Sequence, residues 1–446
     1  MKTNTNLILH HILWRGLYLF SAFLLNILIA RFFTAEKSGH IFFIVNNLAL
    51  VLLLVSISLE SGSAYYIASG NLDAYKMARF CMVWAMAASG IALAGWWTIL
   101  YTSHSAYLKD PVFMWASFLF ILGTLLTTYF MALFYAKKQF GLPNKILFWV
   151  NMLLICLLIA GKDRLKIKTH FIDLYFAFFS LQGVLLLFFF FRKKPRIPDH
   201  LLPSRPVLIK VIRYSLAALL ANGIYFLVYR IDYWFVQYYC TGKDLGNYIQ
   251  ASKLGQMLLI LPAILGSTLF PIFSSGNKSD NAFQLTVSVR VLLWINTGIC
   301  VLILCFGWYL FPLFFGSSFS KMYMLFTLLI PGILCTTMNY PLTAWFAADR
   351  RIGVNVRGSL LGLIVICTGD LLSLPHFGVP AASIVSSAGY FSYFGYTLFI
   401  YRKEYDIPWK DFFVIRKSDI RRIQQSIGSK SRGTPVGNYM VQNLIP

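Results

Sequence analysis

Acidic residues are scarce in this chain: 16 Asp and Glu stand among 446 residues, against 39 Lys and Arg. Charged residues of both signs make up only 12% of it, where soluble domains carry about a quarter, so a water-soluble globular fold is excluded. Alternating runs of about ten residues are also missing, which excludes a closed β-barrel. The chain lacks a CxxC pair, and Cys81, Cys156, Cys300, Cys305, Cys335 and Cys367 lie inside apolar runs as small hydrophobes. Neither a disulfide framework nor a cysteine metal site follows from that pattern. His10, His11, His40, His104, His170, His200 and His376 are dispersed without metal-ligand spacing. A Walker A loop is absent, so ATP is not used directly, and no cofactor is expected. The first apolar run contains Arg15 and has no small-residue cleavage site, which marks a retained helix and not a signal peptide.

What is present is apolar surface in membrane-length pieces. Hydrophobic residues reach 58%, with 40 Phe, 25 Tyr and 11 Trp, and mean hydropathy is +0.67. Run length places six helices at roughly 8–33, 40–60, 78–101, 112–136, 145–160 and 171–191. Six more fall at roughly 211–239, 248–273, 285–312, 321–347, 354–374 and 381–401. The net charge of +23 is explained by cytoplasmic loops better than by a nucleic-acid partner. Most Lys and Arg lie in the loops that an N-terminus inside would place inside, so both termini are expected in the cytoplasm. The basic loop GKDRLKIKTH after the fifth helix runs against that bias.

The basic, proline-rich segment 192–206 divides the helices six and six. The expected organisation is therefore an N-lobe over 1–191, a cytoplasmic loop over 192–210, a C-lobe over 211–402 and a basic tail over 403–446. The tail is read as lying on the inner leaflet or free of it. A faint internal repeat supports paired lobes: TAEKSGHIFF follows the first helix and TGKDLGNYI the seventh, each with an acidic residue, a spacer and then Gly39 or Gly246.

From Arg213 onward the sequence resembles the polysaccharide transporter branch of the MATE-like flippase superfamily, the Wzx-type lipid-linked oligosaccharide flippases. The stretch YRIDYWFVQYYCTGKDLGNYIQASKLGQMLLILPAILGSTLFPIFS carries it, through Arg230 and Asp232, Asp244 with Gly246, Tyr248, Ala251 and the Leu269 to Pro271 triplet. FGSSFSKMYMLFTLLIPGILCTTMNYPLTAWFAADRR and LPHFGVPAASIVSSAGYF agree with it, and LIARFFTAEKSGHIFF and SGSAYYIASG resemble the first hairpin more loosely. The resemblance implies an all-α integral membrane protein of about twelve transmembrane helices in two six-helix lobes. It implies a multi-pass protein of the cell (inner or plasma) membrane. The implied activity is export of an undecaprenyl-diphosphate-linked oligosaccharide by alternating access, with no chemistry on the substrate. A polysaccharide polymerase or a glycosyltransferase is the implied kind of partner.

A pyrophosphate crossing hydrocarbon needs a wet cationic cavity, and arginine binds phosphate bidentately while staying protonated. Each mid-membrane cation costs about 2.5–3.5 kcal/mol on insertion scales, so Arg15 and Arg230, in equivalent helices of the two lobes, are the leading cavity residues. Lys253 and Arg290 are secondary ones, sitting nearer helix ends, where snorkelling to an interface is the competing account. Asp232 projects about 200° away from Arg230 on a helix, so each needs its own partner, and Asp232 is the proton- or sodium-coupling candidate. Glu60 and Asp370 are read as solvated helix ends. Pro262, Pro331 and Pro341 fall within helices and imply kinks. The rival reading is a MATE-like exporter of organic cations, which would use acids where the first helix has none. A membrane enzyme acting on the same lipids would need a large outer loop with acids or His, and the longest is about ten residues.

Overall fold

The computed structural model describes residues 2–102, 111–161, 170–192, 202–275, 278–405, 408 and 410–414. The expected basic segments at 162–169 and 193–201, and the tail beyond 414, lie outside these residues. Helix is the regular structure throughout, with no strand among the described residues. The helices are α1 (Lys2–Phe32), α2 (Ala35–Ser56), α3 (Leu59–Ala68), α4 (Ala74–Thr102), α5 (Pro111–Ala136), α6 (Gly141–Ala160), α7 (Phe171–Arg192) and α8 (Arg205–Arg230). They continue as α9 (Asp232–Tyr239), α10 (Gly242–Leu258), α11 (Ile260–Ser275), α12 (Lys278–Phe315), α13 (Met322–Ala348), α14 (Ile352–Phe377), α15 (Val379–Tyr405) and α16 (Lys410–Phe413).

Eleven spans among the described residues are long and apolar enough to cross a bilayer, with α8 and α9 acting together as one of them. Helix α15 is equally long but more polar, since Ser383, Ser386, Ser387 and Ser392 interrupt its apolar surface. It occupies the place of the expected twelfth helix.

The chain divides into two compact units: Met1–Phe32 with Phe43–Gly223, and Phe33–Phe42 with Ile224–Pro446. In the first unit α4 buries Ala78, Cys81, Ala85, Ala88 and Ala92 along one side and exposes Val83, Met86 and Ile91 on the other. Small residues inside and large apolar ones outside are what a helix in lipid requires, because close approach supplies the packing that water cannot drive. Helices α5 and α7 carry this furthest: a Cβ on Gly123 would stand 2.3 Å from Ser180 Cα.

The second helix is not continuous. Ile57 and Ser58 take positive φ values of 48° and 50° between α2 and α3, a conformation costly for a β-branched residue. The freed carbonyls find partners in the same unit. Trp84 Nε1 donates to Val55 O at 3.1 Å and the Tyr129 hydroxyl to Ser56 O at 3.2 Å.

In the second unit the two repeat motifs touch. A Cβ on Gly246 would lie 1.8 Å from Ala35 O, and one on Gly39 would lie 2.6 Å from Gly246 Cα, so only glycine lets these backbones meet. Ala35 N donates to Ser318 Oγ at 3.0 Å, Asn247 Nδ2 to Ser318 O at 3.2 Å, and Lys321 Nζ pairs with Asp244 Oδ1 at 2.7 Å. Pro331 and Pro341 sit inside α13 as expected, and Pro262 begins α11, where the expected helix 248–273 is interrupted at Leu259. Phe412 of α16 is buried in the core with Trp345 and Tyr401, and Trp294 Nε1 donates to Phe413 O at 2.9 Å.

Candidate functional site

Arg15, in the first unit, is exposed on α1 and is held by neutral groups. Its Nη1 donates to the Tyr135 hydroxyl at 2.6 Å, Tyr135 donates to Asn144 Oδ1 at 3.1 Å, and Asn144 Nδ2 closes the chain on Phe140 O at 2.7 Å. No acid pairs with Arg15 among the described residues, so its guanidinium is oriented without being neutralised. Asn151 is different: it donates to Ser21 Oγ and accepts from Gln182 Nε2, both at 3.0 Å and both buried, an interhelical contact and not a free ligand group.

The second unit holds the other four expected residues. Arg230 closes α8 with its guanidinium 5.1 Å from the centre of the Phe226 ring. Lys253 on α10 stands with Nζ 3.1 Å from the centre of the Phe42 ring, near enough to Arg230 to feel its charge. Both make further contacts in the protein. Arg230 and Lys253 thus stand on two different spans, each over an aromatic face, a placement that stabilises a desolvated cation by about 2 kcal/mol. Arg290 is elsewhere: on α12, only 1% exposed, it is enclosed in protein and does not present its charge at a surface.

Asp232 opens α9, two residues beyond Arg230 and on a separate face from it, and is 1% exposed. Its Oδ2 accepts from the Tyr248 hydroxyl and from Ser386 Oγ, the latter at 2.9 Å, while those two hydroxyls lie 3.0 Å apart. Its Oδ1 is buried with no side-chain partner. Asp370, expected to be solvated, is instead 0% exposed, and neither of its carboxyl oxygens has a hydrogen-bond partner. Its charge and that of Asp232 act on each other, so α9 and α14 bring two acids into one buried place, with α10 and α15 supplying the hydroxyls. Two buried acids whose charges act on each other are most stable with one of them neutral or with a cation nearby.

Glu60 follows the α2–α3 break in the first unit, and its Oε2 is buried without a partner. Sequence reasoning passed over Glu60 and Asp370. The available signal was an acid within an apolar run, discounted because each lies near an expected helix end. Among the described residues no group of three His, Cys, Asp or Glu could hold a metal ion.

Residues 176–324 match the family described as "Polysaccharide biosynthesis protein". In structure the chain is similar to a multidrug resistance MATE family transporter of the MOP superfamily in its inward-facing conformation, with a TM-score of 0.68 at 11% identity over 88% of this chain and 94% of that one. It is similar to the lipid II flippase MurJ, with a TM-score of 0.61 at 14% identity over 91% and 88% of the two chains. The chain has the MATE-like fold. A mutant of the MATE transporter VcmN from Vibrio cholerae overlays with a TM-score of 0.61 at 12% identity, over 92% of this chain and all of its own. No curated protein sequence matches it. At these identities the solved structures establish the multi-pass transporter fold, and the polysaccharide connection rests on the matched third of the chain.

Proposed function

We propose that this MATE-like transporter flips an undecaprenyl-diphosphate-linked oligosaccharide from the cytoplasmic to the outer leaflet of the cell membrane. Two lobes alternate access to a cationic cavity, and nothing is made or broken on the substrate. The observation that carries the reading is that Arg230 and Lys253 lie within two membrane spans of the second unit, each against an aromatic ring. A diphosphate offers two adjacent anions, and two neighbouring cations replace the water it would lose. Arg15, exposed and oriented by Tyr135, is the first unit's own candidate for a phosphate contact.

The acids Asp232 and Asp370 take the coupling role, exchanging a proton or sodium ion as the protein changes state. The hydroxyls of Tyr248 and Ser386 already aim at Asp232 and would ligand either form. A polymerase or glycosyltransferase docks on the basic tail in this scheme. The same acid pair is the one feature that favours the alternative, export of organic cations driven by protons or sodium.

The test is flipping of a fluorescent undecaprenyl-diphosphate oligosaccharide in proteoliposomes by wild type, Arg15→Ala and Arg230→Ala at equal incorporation. Transport by wild type, its loss in Arg230→Ala and a smaller reduction in Arg15→Ala are the expected result. A wild type that leaves the lipid in place and expels an organic cation against an ion gradient overturns the flippase reading.

A further inference from the structure

The second unit carries a group of phenols where lipid-facing tyrosine would be out of place. Tyr225 is 47% exposed. It lies on the span Arg205–Tyr239, three residues from the midpoint, which is about 5 Å along the axis. Tyr340, on the span Met322–Ala348, is five residues from its midpoint, or about 8 Å. Interfacial tyrosines sit about 15 Å from the bilayer centre, at the edge of the hydrocarbon. These two are well inside it.

At that depth a phenol must bond internally or face water. Tyr225 does both, since its hydroxyl is hydrogen-bonded to that of Tyr340 while almost half of the residue stays open. The rings continue inward: Tyr225 to Tyr229 at 4.6 Å between centroids, then Tyr229 to Tyr390 at 5.3 Å. Tyr229 and Tyr390 form a shallow crevice with Ser252 and Gln256, whose polar atoms bond each other at 3.3 Å. Ser252 precedes Lys253 and Tyr229 precedes Arg230 in the chain, so the phenol group is carried by the same helices as the two cations.

We infer that the Tyr225–Tyr340 pair and the crevice behind it read the first sugar of the substrate. This rests on the flippase reading and adds a subsite to it. A pyranose offers an apolar C–H face and a rim of hydroxyls. The exposed Tyr225 ring takes the face, and the Tyr225–Tyr340 hydroxyl pair opens to give each oxygen a sugar hydroxyl in exchange. An organic cation would also suit the rings, but Arg230 and Lys253 beside them repel it. A sugar one bond away from the diphosphate meets no such penalty.

The experiment uses the full chain in proteoliposomes with two fluorescent probes, undecaprenyl diphosphate bearing one N-acetylglucosamine and undecaprenyl diphosphate bearing none. Tyr225→Phe and Tyr340→Phe, checked for wild-type melting temperature, should each slow the sugar-bearing probe by about five- to tenfold, the loss of one hydrogen bond, and leave the bare diphosphate unchanged. Tyr225→Leu should slow the sugar-bearing probe further, and Arg230→Gln should slow both probes together. Tyrosine variants that match wild type on both probes, or that slow both by one factor, overturn the inference while the flippase reading stands. A wild type that moves neither probe overturns that reading, and this inference with it.

Discussion

Each unit contains an acid beside a disturbance in a membrane span, and the two are built in opposite ways. In the first, the backbone gives way: Ile57 and Ser58 adopt left-handed conformations, side chains of Trp84 and Tyr129 repair the carbonyls, and Glu60 Oε2 is left without a partner. In the second, the backbone holds. Ile231 keeps helical angles, with φ −62° and ψ −36°, and side chains do the adapting, as Tyr248 and Ser386 close on Asp232 while Asp370 approaches from α14. A strained backbone is repaired by fixed neutral donors. A regular backbone can present charges of both signs two residues apart, because successive positions point to different sides of the helix. In the proposed scheme the second unit is therefore the one that holds an anion and a coupling ion together.

The contrast depends first on the frame of the second unit. Gly246→Ala should cost at least about 3 kcal/mol, since the new methyl meets a backbone oxygen that cannot move aside. Thermal unfolding in detergent should show it, with Gly90→Ala, which meets nothing within 4 Å, as the near-neutral control. If the units differ in the anion they hold, Arg230→Gln should slow flipping of the diphosphate lipid by about ten- to a hundredfold, from the loss of about 1.5–3 kcal/mol of charge-assisted bonding. Arg15→Gln, which removes a cation held by neutral groups, should slow it by only about threefold. Equal losses would erase the difference between the units.

Asp370→Leu separates function from stability. Replacing a buried acid that has no hydrogen-bond partner should stabilise the protein by about 1–3 kcal/mol, while transport loses its response to a proton or sodium gradient. A lower melting temperature with coupling intact would assign Asp370 a structural role instead. The smallest effect belongs to the first unit: Tyr129→Phe leaves Ser56 O unpaired at the helix break and should cost about 1 kcal/mol in the same unfolding measurement.

Much of this was legible in the residues. The membrane class and the helix positions follow from run length, and Arg230 and Asp232 stand out because charge in hydrocarbon is expensive. Asp370 did not stand out, because a helix end on a one-dimensional plot need not be near water. Its burial depends on α9 and α15 packing over it. The break at Ile57 was equally hidden. Neither Ile nor Ser favours positive φ, so no local preference marks the place, and the partners that make it tolerable come from Trp84 and Tyr129, far along the chain.

The repeat motifs show the same division most clearly. TAEKSGHIFF and TGKDLGNYI are visible as related segments in the sequence, each with a glycine before a new helix. That the two glycines exist to touch each other was decided only by the fold, which brings Ala35 and Gly246 into backbone contact. The sequence by itself determined the solvent, the element lengths and the sign of the intramembrane charge, since hydropathy and charge act residue by residue. Tertiary structure alone decided which charges share a place, because that depends on distances between residues remote in the chain, over which local preferences have no influence.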